Sequence, residues 1–224
     1  MIERLLLVGA NHRLLTFLVL LLGTVMLAPG LLLLKIDTGL HTLVSDADPD
    51  RQAYLRVSEE FGSDNRTIVY VRDAKLWTLQ RIESLVRLQD ALESIPEVER
   101  VESILTVRTV RGSGRALDSR PLLDTGALNH ENVTRARGDA LANPLIIGNF
   151  VSKDGRSTAL MVTIKPADDQ LDYDALVNEA LNAVIETERS AFDELFQIGP
   201  SRINTELKGA LLGDLALLGP ISEI

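Results

Sequence analysis

The stretch RTIVYVRDAKLWTLQRIESLVRLQDALESIPEVERVESI, residues 66–104, decides the fold. Residues 66–72 are β-branched and aromatic between two arginines, which predicts a strand buried on both faces. Thr78 is placed to cap a helix in which Ile82, Leu85, Leu88, Leu92 and Ile95 form one apolar stripe. Pro96 ends that helix, and Val98, Val101 and Ile104 mark a second strand.

A second unit of the same kind lies towards the C-terminus. Residues 157–164 predict a strand and residues 174–192 a helix. Its apolar residues pair at four-residue spacing: Leu176/Val177, Ala180/Leu181 and Val184/Ile185. Residues 195–198 predict a short last strand. Two βαβ units in succession predict an α+β fold of the ferredoxin-like, split βαβ kind. Between the units, residues 106–128 are rich in Gly, Ser and Arg without periodicity, which predicts a long loop. A helix over about 131–142 follows, stopped by Pro144. The apolar runs 145–152 and 157–164 flank Lys153-Asp154-Gly155-Arg156. Asp-Gly in that setting predicts a hairpin over 145–164. Gly199-Pro200 breaks the last strand, and Ser201 is placed to cap a final helix over 201–224.

Upstream, Asp48, Pro49 and Asp50 form a helix start, Tyr54, Val57 and Phe61 recur at helical spacing, and Gly62 supplies the stop. Residues 14–34, LLTFLVLLLGTVMLAPGLLLL, carry no charge and predict a transmembrane helix. The run is long for a signal peptide. A cut after Ala28 would place Met26 at the −3 position and Pro29 after the bond, so an uncleaved anchor is expected. Arg4 and Arg13 on the short leading side place residues 1–13 in the cytoplasm, and residues 35–200 then form an external, periplasmic domain.

The chain has 224 residues, 46% of them hydrophobic and 4% aromatic, and no cysteine. No disulfide framework or thiolate metal site is available. The net charge of −9 argues against a nucleic-acid partner, which needs a basic face.

Chemical motifs are few. Asp46, Asp48 and Asp50 alternate as at the start of an EF-hand loop, but its sixth and twelfth positions fall on Arg51 and Val57, so a helix cap is the better reading. His12, His41 and His130 share no ligand spacing. Ser103, Ser113 and Ser119 have no nearby base, and Gly112-Ser113-Gly114 is only a turn. Arg108, Arg111, Arg115 and Arg120 cluster in the predicted loop, where they suit a solvated surface better than a headgroup site. Asp214 lies in the apolar final helix and is the one candidate functional carboxylate near membrane depth. No catalytic, metal or cofactor-binding residue is assigned; no cofactor and no enzyme activity are expected.

Several ordered segments resemble those of RND-superfamily exporters of the MMPL and hopanoid-transporter type. They are Ile36-Asp37, Asp48-Pro49, Phe61-Gly62 and residues 68–71, then Ile95-Pro96 with Val98, Val101 and Ser103. Residues 141–155 leading into 159–164 follow, then Ile198-Gly199-Pro200 with Glu206 and Asp214-Leu215. The similarity runs along most of residues 14–220. It implies the first span and periplasmic porter domain of a proton-driven exporter of lipids or other hydrophobic compounds. It implies proton-relay carboxylates elsewhere, with 201–224 leading towards a missing second span. Expected partners are membrane lipids, the remaining spans and second repeat, and possible further copies of the chain. The alternative is a single-pass, membrane-anchored periplasmic sensor or binding domain.

Overall fold

The computed structural model describes residues 13–32, 48–113, 116–166 and 172–218. The chain divides into two compact units, Met1–Asp37 and Thr38–Ile224.

The first unit contains one described helix, α1 (Arg13–Leu32). Thr16, Gly23 and Thr24 interrupt its apolar run. Among the described residues, no helix is long and apolar enough to cross a membrane. The transmembrane helix expected over 14–34 is therefore corrected to α1.

The second unit is α+β. Its elements are α2 (Pro49–Phe61), β1 (Arg66–Arg72), α3 (Leu79–Glu93), β2 (Val98–Glu102), β3 (Arg108–Ser113), β4 (Ala116–Pro121), α4 (His130–Ala142), β5 (Ser157–Ile164), α5 (Tyr173–Glu188), β6 (Glu194–Ile198) and α6 (Pro200–Leu218). The main sheet runs β2-β5-β1-β6, with each neighbouring pair antiparallel. β1 and β2 flank β5, and β5 and β6 flank β1. Each βαβ unit thus leaves a gap that a strand of the other unit fills, which is the split βαβ arrangement.

The core lies between this sheet and its helices. Val69 and Val71 of β1, Leu160, Val162 and Ile164 of β5 and Leu195 of β6 meet Ile82, Leu85, Leu88 and Leu92 of α3 and Val177, Leu181 and Ile185 of α5. Val98 and Val101 are three residues apart, so strict alternation would put them on opposite faces. A register shift between Val98 and Arg100 returns both to the core.

β1 is buried on one face only, because the helices occupy a single side of the sheet. Ile68 and Ile198 remain 42% and 54% exposed on the other. Tyr70 and Phe196 pair there with ring centroids 4.9 Å apart.

The predicted loop over 106–128 contains a separate two-stranded hairpin, β3 with β4, paired from Arg108↔Pro121 to Ser113↔Ala116. Its strands have few apolar residues because the hairpin does not join the main sheet. Val107, Leu122 and Leu123 tie its base to the core. Gly114 and Arg115 lie outside the described residues.

The hairpin expected over 145–164 is shorter than predicted. Only the bridge Val151↔Thr158 precedes the turn, since the chain coils on itself just before it. The Ile146 carbonyl accepts from the amides of Asn149, Phe150 and Val151. The Asp-Gly turn itself is present. Gly155 has φ 70°, and the Trp77 indole donates to its carbonyl at 2.9 Å.

Asp48 caps α2, accepting from the Asp50 amide at 2.8 Å, with Pro49 in the first turn. Thr78 precedes α3, but its hydroxyl donates back to the Lys75 carbonyl and does not cap. Ser201 is not a cap either: α6 begins at Pro200, and Ser201 is buried within its first turn.

Gly199 joins β6 to α6 at a close approach. A Cβ there would lie 2.8 Å from the Cα of Thr67, a backbone atom that cannot swing aside. Gly199→Ala is expected to cost about 1–3 kcal/mol, the usual range for overpacking. At Gly138, mid-helix and with nothing within 4 Å of a built Cβ, Ala is expected to add about 0.5–1 kcal/mol. Chemical denaturation of the two variants checks the opposite signs.

The Asp154 carboxylate accepts from the Ser152 hydroxyl at 2.5 Å and the Arg156 amide at 3.0 Å. The Ser152 bond, then the Arg156 amide, hold its pKa below the ordinary carboxylate value. A carboxyl depressed on folding contributes stability that is present above its unfolded pKa and lost as pH falls through the lowered folded value. Asp154→Asn is therefore expected to be less stable at neutral pH and to show a shallower acid limb, read from denaturant midpoints across the acid range.

Candidate functional site

Among the described residues, a cleft of about 590 Å³ lies where the base of β3, the end of α4 and the 143–150 coil meet. Val107, Ala142, Pro144, Leu145, Ile146 and Phe150 form its apolar wall, and Arg108, Thr109, Asp139 and Asn143 its polar one.

The wall follows from how α4 stops. Val133, Ala136 and Ala140 seat the helix on the core. Pro144 blocks a further turn, and Asn143 supplies the C-cap, its amide donating to the Ala140 carbonyl. The Asn143 side chain then accepts from the Leu145 amide at 2.9 Å. Its carbonyl accepts from Ile146 and Ile147, both at 3.0 Å. This tight coil drives Ile146 into the core, 1% exposed, and leaves Leu145 75% exposed at the mouth. Phe150 is held from behind, because the Thr158 hydroxyl donates to its carbonyl at 2.8 Å.

On the polar side, Arg108 reaches across the hairpin. Its Nη2 donates to the Ser119 carbonyl at 2.7 Å and its Nε to the Ser119 hydroxyl at 3.2 Å. The guanidinium is thereby fixed beside an apolar wall. Such a cleft suits an amphipathic molecule, with its chain along Leu145, Ile146 and Phe150 and its polar end towards Arg108 and Asn143.

The residues singled out in the sequence are scattered. Asp214 is exposed on α6, away from the cleft residues in sequence and element, and has no hydrogen-bond or ion-pair partner among the described residues. Ser103 is fully buried. Its hydroxyl bonds Gln89 at 2.5 Å and accepts from the Leu105 amide, so it braces a turn. Ser119 receives Arg108, and His130 opens α4. Arg120 lies on β4 and Arg111 on β3. His12, His41 and Asp46 lie outside the described residues. Among the described residues no group of three or more His, Cys, Asp or Glu is placed to hold a metal ion.

The cleft itself was not read from the sequence. The usable signal was Asn143-Pro144 followed by Leu145 and Ile146: a forced helix stop ahead of an apolar pair that cannot both face inward.

Comparison with the models of known protein families and with curated proteins finds no match.

The floor and the rim of the cleft are energetically distinct. Ile146→Ala removes a fully buried side chain and is expected to cost about 2–5 kcal/mol. Leu145→Ala, at the exposed rim, is expected to stay within about 0.5 kcal/mol of the parent. Equilibrium unfolding of both separates a structural floor from a surface free to contact ligand.

Proposed function

We propose that the domain described over residues 48–218 is a porter-like, substrate-handling domain of an RND-type exporter of lipids or other hydrophobic compounds. It works on the periplasmic side of a bacterial inner membrane. The energy comes from proton movement in membrane-embedded parts of the intact transporter. The observation that carries this reading is the amphipathic cleft at the insertion of a split βαβ sandwich. It joins one apolar wall with an exposed leucine at its mouth to a fixed cation.

The ordered resemblance along residues 36–215 supports the reading, since the exporter family builds its porter region from βαβ units. In this role the cleft holds one amphipathic molecule in passing. Coupling to neighbouring parts opens and closes the space between the coil at 143–150 and the base of the β3–β4 hairpin.

The test is made in cells that carry the intact gene. Deletion is expected to raise hydrophobic or lipid cargo in the inner membrane and lower it outside. Complementation with Ala142→Trp, which fills the cleft, is expected to reproduce the deletion while protein levels stay normal. Leu145→Ala is expected to weaken export several-fold. Unchanged cargo distribution after deletion, with a change in gene expression instead, would favour the sensor reading and overturn this one.

A further inference from the structure

Gln197 is not explained by the fold alone. It lies two residues after Leu195 on the helix-facing side of β6 and is 1% exposed, a place where a second leucine would serve the core. Its Nε2 instead donates to Asn182 Oδ1 at 2.8 Å, to Asn178 Oδ1 at 3.0 Å and to the Asn178 carbonyl at 3.3 Å. That main-chain carbonyl can only accept, which fixes which way the Gln197 carboxamide points. An NH2 group has two hydrogens and here faces three acceptors, so the acceptors around it keep spare capacity. Asn178 and Asn182 sit one turn apart on α5, where Asn182 Nδ2 donates to Asn178 Oδ1 at 3.3 Å. Gln197 Oε1 is buried with no hydrogen-bond partner among the described residues. A buried polar residue whose bonds hold two others in place is how a binding site is pre-organised.

The three carboxamides line a second cleft, of about 280 Å³, where α5, β6 and the start of α6 meet. Its charges are matched within the chain. Arg189 meets Glu186 at 3.4 Å and Arg202 meets Glu206 at 2.7 Å, and Arg202 also donates to the Gln197 carbonyl at 3.0 Å. An ionic ligand would therefore gain little. Ile185, Leu195 and Phe196 add an apolar patch to the lining. Neutral groups that both donate and accept, beside an apolar patch, match hydroxyls carried on a short carbon frame. The volume lies just below the usual span of ligand pockets, about 300–1,000 Å³, so the occupant is small.

We propose that this cleft binds an uncharged polyhydroxylated group the size of a monosaccharide or linear polyol. Asn178 and Asn182 bond its hydroxyls, and Gln197 is the positioning residue that holds both. A free sugar and the sugar headgroup of a lipid present the same hydroxyls. The site is separate from the cleft at 142–150 and stands whether or not that cleft takes hydrophobic cargo.

Saturation-transfer NMR on the full chain tests this, with sorbitol, methyl glucoside and octyl glucoside (below its micelle concentration) as probes. Transfer to sorbitol or to a glucoside ring is expected. Asn182→Leu removes a ligand contact, and Gln197→Met keeps the side chain's length in the core but releases both asparagines. Each is expected to weaken binding about tenfold, as for a lost hydrogen-bonding partner, with circular dichroism unchanged. Equal affinity for the two glucosides, weakened in both variants, supports a free sugar as the ligand. Tighter binding of octyl glucoside, weakened in the same way, supports a lipid-borne one. No transfer to any probe would overturn the proposal, as would binding that both variants leave unchanged. Binding of inorganic phosphate that Asn182→Leu weakens, without binding of any sugar or polyol, would make this an anion site and also overturn it.

Discussion

The structure depends on the pairing of β1 on both of its edges. Arg66–Arg72 is matched along its full length to β5 on one side and for five residues to β6 on the other. A strand bonded on both edges has no free backbone groups to satisfy, and its Thr67, Val69 and Val71 side chains are fully enclosed. Both partners come from the second βαβ unit, so neither unit completes its sheet alone. The approach of Gly199 to Thr67 extends this constraint to the start of α6, because the chain must leave β6 against the backbone of β1.

From that constraint the candidate site follows. The sheet and helices α3 and α5 fill the centre, and the β3–β4 hairpin and α4 are added at the periphery. There the α4 stop at Asn143-Pro144 meets the hairpin base at Val107 and Leu122, whose amide donates to the Val107 carbonyl at 2.9 Å. The core needs Ile146 but has no room for Leu145, and the surplus apolar side chain becomes one lip of the cleft. Arg108 becomes the other because its guanidinium is spent on Ser119 in holding the hairpin together.

Strands and helices with strong patterns were legible in the sequence: the stripe from Ile82 to Leu92, the Val177–Leu181–Ile185 face, the Asp48-Pro49 start and the Asp-Gly turn. Other features failed for identifiable reasons. The β3–β4 hairpin carries its order in cross-strand backbone bonds rather than in apolar alternation, so RTVRGS resembled a loop. The run 145–152 is as apolar as a strand, but the Asn143 cap and the three bonds to the Ile146 carbonyl coil it. Residues 14–34 look continuous in hydropathy, yet Thr16, Gly23 and Thr24 interrupt the run, and among the described residues no helix is long and apolar enough to cross a membrane. Asp214 stood out for its apolar surroundings, yet it is exposed on α6, away from the cleft residues in sequence and element.

The central claim is that a hydrophobic molecule is held between the 142–150 segment and residues 107–109. Photoaffinity labelling of the chain with a diazirine-bearing fatty acid, followed by peptide mapping, addresses it directly. The account predicts label concentrated on 142–150 and 107–109, competed by unlabelled fatty acid. Label confined to the open sheet face around Ile68, Phe196 and Ile198, or to α6, with the cleft peptides unmodified, would contradict it.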